Sequence, residues 1–205
     1  MNIRTALMMA VLAFSTTPAH AGPIEDITGF DPAIIANLAQ DYEDAGSKCQ
    51  TDYTVAVAED GSYGSVCSSK ATDDDLARTA IQKCEHWSKG KPCGVVVMRN
   101  KAVPYTLSPI LMTYPTTFDP QQVPFLWAAD RDKLVSKYIP KGTHKALAIT
   151  RNGTYGWVAD KTSAEDAETG ALENCEKYDK RGRCFLYSVN EEVVFNKDSN
   201  IYPDR

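Results

Sequence analysis

Histidine is scarce in this chain, with three among 205 residues. One of them, His20, lies near the N-terminus, which leaves His86 and His144 for any acid–base or metal chemistry. No Ser or Cys sits in a nucleophile motif, and Gly90 and Gly182 belong to no phosphate-binding loop. Zinc spacing is missing too, because the cysteine pairs are separated by eight residues rather than two to four. The run Asp73, Asp74, Asp75 lacks the alternation and the bidentate Glu of a calcium loop. It reads instead as negative charge at a helix start, where the helix dipole favours it. No metal and no cofactor follow from these residues. A hydrolase built from carboxylates far apart in sequence remains open, since such residues can meet in space.

Positive charge is also short. The formal net charge is −5, and there is no polybasic run. Nucleic acid is therefore a poor partner, because its phosphates would be repelled. Beyond the N-terminal stretch nothing approaches the roughly 20 apolar residues of a membrane span. That first stretch, residues 1–21, has the pattern of a secretory leader: Arg4, an apolar run from Ala6 to Phe14, and Ala19-His20-Ala21 before the cut. The expected location is the periplasm or the cell exterior.

What the chain does have is a repetition. Gly61, Tyr63 and Gly64 stand 92 residues ahead of Gly153, Tyr155 and Gly156. Cys84 and Cys93 stand 91 residues ahead of Cys175 and Cys184. One deleted residue accounts for the slip. The expected fold class is α+β, a tandem duplication of a ββαββ unit with one helix packed on an antiparallel sheet. Each copy follows a leader helix. The expected layout is 1–21 signal peptide, 22–46 leader and helix, 47–105 first repeat, 106–143 connecting segment with a helix, 144–195 second repeat, and a mobile tail over 196–205.

Local signals support this layout. Asp31-Pro32 opens a helix with an N-cap and a Pro at the first helical position, and Ile34, Ile35, Leu38 and Tyr42 share a face. Thr54 to Ala58 and Lys145 to Thr150 alternate as strands. Asp60-Gly61 and Asn152-Gly153 predict two-residue type I′ hairpins. Thr72 and Ser163 cap helices whose buried stripes include Leu76, Ala80 and Cys84, and Ala167, Ala171 and Cys175. A second hairpin turns at Arg99-Asn100. Phe118-Asp119-Pro120 echoes Phe30-Asp31-Pro32, and a helix is expected from about Ala128 to Tyr138. Each unit covers one sheet face with its helix. Pairing of the two units is expected to cover the other.

Six cysteines suit an oxidising compartment. The repeat pairs Cys84 with Cys93 and Cys175 with Cys184, and elimination leaves Cys49 with Cys67. Each bridge should add roughly 2–3 kcal/mol by constraining the unfolded chain.

The binding candidates sit in the second copy. Tyr63-Gly64 and Tyr155-Gly156 are simplest as packing over a glycine where a backbone approaches closely. Trp157 differs, because the first copy has Ser65 there. The two disulfide loops carry Trp87 with Lys89 and Lys91, and Tyr178 with Lys177, Lys180, Arg181 and Arg183. Cations at helix C-termini need no ligand to explain them. The candidate surface is nevertheless Tyr155, Trp157, Tyr178 and Arg181, with Arg181 as a planar donor for carboxylate.

The phrase HKALAI at His144 to Ile149, the hairpin GTYGW at Gly153 to Trp157 and CFLYSVN from Cys184 resemble a family of secreted alphaproteobacterial proteins without an established activity. They are also similar to a wider bacterial domain of unknown function with a G-x-[YW]-G-[WY] hairpin and a Cys-bearing helix. The resemblance implies a disulfide-bonded α+β module outside the cytoplasm and brings no catalytic residues. The expected function is non-enzymatic binding of a protein or a small anionic ligand, as in an inhibitor or immunity-like partner of an envelope enzyme. The alternatives are an envelope hydrolase using dispersed carboxylates and a structural envelope component.

Overall fold

The computed structural model describes residues 24, 27, 29–46, 49, 52–181 and 183–196. The expected secretory leader and the tail beyond Asn196 lie outside them. The protein is α+β, and its described residues form two four-stranded antiparallel sheets and four α-helices.

Helix α1 spans Pro32–Gly46, and Asp31 Oδ1 accepts the Ala33 N–H at 2.7 Å at its start. The first unit follows as β1 (Tyr53–Ala58), β2 (Tyr63–Cys67), α2 (Asp73–Trp87), β3 (Cys93–Met98) and β4 (Lys101–Ala102). A 3₁₀ turn at Pro120–Gln122 leads to α3 (Ala128–Lys133), which widens into a π-helical turn over Leu134–Tyr138. The second unit is β5 (Ala146–Ile149), β6 (Tyr155–Val158), α4 (Ala164–Glu176), β7 (Phe185–Val189) and β8 (Glu192–Val193).

The two sheets have the same order, β2-β1-β3-β4 and β6-β5-β7-β8. Ala56 lies across from Gly64, and Ala148 across from Gly156. A register shift falls between Val55 and Ala56 against β3, and between Leu147 and Ala148 against β7. Val96 of β3 and Tyr187 of β7 are thus the extra residues of bulges at matching places. Thr72 Oγ1 caps α2 by accepting the Asp75 N–H, and Ser163 Oγ caps α4 by accepting the Asp166 N–H.

Small and large residues alternate along the central strands for a reason. Ala56 and Ala58 face α2, with Leu76, Ala80, Ile81 and Cys84. Ala146 and Ala148 face α4, with Ala167, Ala171 and Cys175. Small side chains let each helix lie close. The contact is closest at Gly64 and Gly156, where an added Cβ would fall into the helix backbone at Ala80 and Cys84, or at Asn174 and Cys175. The large residues point the other way. Val55 and Val57 meet Leu38 of α1. Leu147 and Ile149 meet Val123, Phe125, Leu126, Leu134 and Tyr138.

Two expectations are corrected here. The second sheet faces are covered by α1 and by the segment 112–138, not by pairing of the units. Each sheet therefore lies between its own helix and a second layer. The β1–β2 and β5–β6 turns are not type I′, which needs left-handed backbone at both central residues. Only Gly61 (φ 84°) and Gly153 (φ 80°) are left-handed. Gly61 N–H donates to Ala58 O at 3.0 Å and Ala58 N–H to Ser62 O at 2.8 Å. Gly153 and Thr150 repeat these bonds. These are three-residue loops closed by a left-handed glycine, the next commonest hairpin class. Left-handed backbone at both centres occurs instead at Arg99 and Asn100, with φ of 47° and 62°.

Bridges join Cys49 to Cys67, Cys84 to Cys93 and Cys175 to Cys184, with Cα separations of 6.1, 6.2 and 6.0 Å. They fit an oxidising compartment. No helix among the described residues is long and apolar enough to cross a membrane.

Candidate functional site

A cleft of about 570 Å³ opens on the second unit. One wall is the β5–β6 turn and β6, from Gly153 to Trp157. The end of α4 and the residues just after it supply Asn174, Lys177 and Tyr178, and α3 supplies Asp130 and Lys133. Three of the four residues singled out in the sequence, Tyr155, Trp157 and Tyr178, come together here. Arg181 lies outside the lining; its backbone N–H donates to Asp179 Oδ1 at 3.2 Å. Its neighbour Arg183 is committed to the same buried Asp179, Nη2 to Oδ2 at 2.6 Å.

The lining is organised by short polar links. Tyr155 donates to Asp130 Oδ1 at 3.3 Å, and Lys133 Nζ pairs with the same oxygen at 2.8 Å. Burial, and then the Asp130 carboxylate, push the Tyr155 phenol up from its ordinary value. Asn174 Nδ2 donates to Trp157 O at 3.1 Å, and Lys177 Nζ donates to Asn174 Oδ1 at 2.7 Å. Lys177 makes no ion pair among the described residues. Tyr178 is 78% exposed. Trp157 is half-buried and packs edge-to-face on Tyr138 at 5.7 Å. It also borders a hollow of about 480 Å³ with Lys137, Pro140 and Lys141. The cleft thus offers aromatic surface, a tied carboxylate and an ammonium whose partner is a neutral amide.

Asp130, Lys133 and Asn174 escaped the sequence reading. Asp130 had a signal: Tyr63 donates to Asp41 of α1 just as Tyr155 donates to Asp130 of α3. Each leader helix carries one such Asp after its Phe-Asp-Pro opening.

The first unit has the same positions, but the β5–β6 turn reaches over part of them, with Trp87 still 54% exposed. Lys83 stands where Asn174 stands, and its Nζ donates to Ser65 O at 2.9 Å, matching the bond from Asn174 to Trp157 O. Lys83 also donates to Asn152 Oδ1 at 3.2 Å. The Arg151 guanidinium lies 5.0 Å from the ring of Trp87, the residue matching Tyr178. The β5–β6 turn of the second unit therefore lies against the first unit's cleft and engages Lys83 and Trp87. Its electrostatics follow. Burial, and then Arg183, lower the Lys83 ammonium to about 8. Burial, and then Arg151, lower His86 to about 4.

Among the described residues no group of three or more His, Cys, Asp or Glu is placed to hold a metal. Glu85 is buried and its carboxyl is pushed up by that burial. It lies outside the cleft and accepts the N–H groups of Leu111 and Met112 at 2.9 and 2.7 Å. That is a structural tie.

No family model, curated protein or solved structure matches the chain, so its function has to be read from the geometry of the cleft.

Proposed function

We propose that the two units are copies of one ββαββ module, and that the protein is a non-enzymatic binding protein of the periplasm or cell exterior. Its open cleft on the second copy takes an acidic group presented by a partner. The carrying observation is the contrast between the clefts. One is engaged by a neighbouring turn. The other keeps Lys177, Tyr178 and Trp157 at an open surface, with Lys177 bonded to a neutral amide. A carboxylate entering there gains a charge-assisted bond to Lys177, and its aliphatic stem packs on Tyr178. Matching strand order, matching bulges and the repeated Tyr–Asp bond support the common origin of the units. The hydrolase alternative needs a free buried carboxyl in the cleft. Asp130 is tied to Lys133 and Tyr155, and Glu85 is tied to backbone elsewhere.

The test is titration of the disulfide-intact protein with tri-glutamate, following backbone amide resonances. Saturable shifts are expected at Tyr155 to Trp157 and at Lys177, and their loss in Lys177→Ala. Shifts that centre elsewhere, or survive that substitution, would remove the cleft as the site.

A further inference from the structure

Resting on the reading of this cleft as an acceptor of acidic groups, we propose that its occupant is the Glu59–Asp60 turn of a second copy of this chain. Molecules then associate head to tail. The precedent lies inside the molecule. The β5–β6 turn already docks in a cleft of this design, placing Arg151 on Trp87 and Asn152 on Lys83. The β1–β2 turn has the same shape, with the same hydrogen-bond pair and the same left-handed glycine. Glu59 and Asp60 occupy the positions of Arg151 and Asn152, and both are exposed. One turn and one cleft are engaged within the chain. The first unit's turn and the second unit's cleft remain at the surface.

The residue differences between the two turn–cleft pairs follow charge. The turn bearing Arg151 meets an aromatic ring and a histidine, Trp87 and His86. The turn bearing Glu59 would meet Tyr178 and Lys177, the residues at the same two positions. Glu59 thus faces an ammonium that makes no ion pair among the described residues. Asp60 is held in place by Lys91 Nζ at 2.7 Å and arrives beside the Asn174 amide. A turn entering a cleft elsewhere on its neighbour is a heterologous contact, which builds rings or open filaments rather than a two-fold dimer.

The experiment is sedimentation velocity on the intact chain and two exposed charge swaps, at low salt and up to about 1 mM protein. The wild type should show concentration-dependent association that weakens as salt screens the charges. Glu59→Lys alone brings a second ammonium against Lys177, and Lys177→Glu alone brings a second carboxylate against Glu59. Each should lower the association constant by about tenfold or more. An equimolar mixture should recover it, because the swapped turn fits the swapped cleft and the native turn fits the native cleft. A wild type that stays monomeric, single swaps that associate normally, or a mixture that fails to recover would each overturn the proposal. Tri-glutamate separates this from the underlying reading. If it binds at Lys177 while the swaps fail, self-association is wrong and the acidic-group cleft stands. If neither works, both fall.

Discussion

Helices α2 and α4 hold the same place in their units, yet one is covered on two sides and the other on one. Both lay an apolar stripe on their sheets. The outer face of α2 is also buried, and it is polar. Asp75 accepts the Ala128 N–H at 2.8 Å, Gln82 accepts Phe125 N–H at 2.9 Å, and Glu85 accepts Leu111 and Met112. The matching residues on α4, Asp166, Glu173 and Glu176, are exposed. The segment from residue 103 to 127 contains no regular strand and only one 3₁₀ turn. Its buried N–H groups need acceptors, and α2 supplies them. The helix holds the connection, the connection places the second unit, and that placement puts Arg151 and Asn152 over the first cleft. Two units of the same strand order in one chain can thus differ in use, the first serving as an internal joint and the second staying open.

The strongest break in this comparison is at Glu85. It is 1% exposed, and Glu85→Ala leaves two backbone donors without their acceptor. A loss of about 3 kcal/mol is expected in urea unfolding. Glu176→Ala, at the matching exposed position of α4, should change stability by less than about 0.5 kcal/mol. Equal losses would mean that the outer face of α2 has no special role.

Gly64→Ala and Gly156→Ala probe what the units share. In each, the new methyl group meets helix backbone rather than a movable side chain. Both should lose about 2 kcal/mol through overpacking. A loss in one alone would show that the helix–sheet contact differs between the units.

The effect confined to one cleft is a pH dependence. His86 has a folded value of about 4 against an ordinary 6.5. The unfolded chain therefore takes up the proton first as pH falls. His86's contribution is complete above about pH 6.5 and is lost progressively down to about pH 4. His86→Gln should flatten that window in melting temperature. Arg151→Ala should raise the histidine value only part of the way, since burial is the larger cause. An NMR titration of His86 with an ordinary midpoint would show that the Arg151 turn does not seal this cleft.

Much of the architecture was legible because it is local and written twice. The caps at Thr72 and Ser163, the apolar stripes, the strand alternation and the cysteine spacing are all short-range signals. The glycines of the two hairpins were legible as turn residues. The turn class was not, because Asp-Gly and Asn-Gly suit a two-residue turn and also the end of a three-residue one. Three of the four candidate binding residues line one cleft, since the hairpin and the end of the Cys-bearing helix are adjacent within a unit. Asp130 and Lys133 come from α3, on a different segment, and only Asp130 has a parallel, in Asp41.

The amino-acid pattern by itself determined what each unit is: small residues toward a close helix, large ones toward a second layer, cysteines where helix and strand meet. Periodicity and spacing suffice for that, because the interacting groups are side chains a few residues apart or repeated at a constant offset. Only the tertiary structure decided which cleft is open. Asp75, Gln82 and Glu85 look like solvent-facing polar helix residues. Their partners are main-chain N–H groups 26 to 53 residues away, and every residue but proline carries that donor. A bond to such a group leaves no side-chain signature, so the joint that closes one cleft and spares the other becomes visible only once the chain is folded.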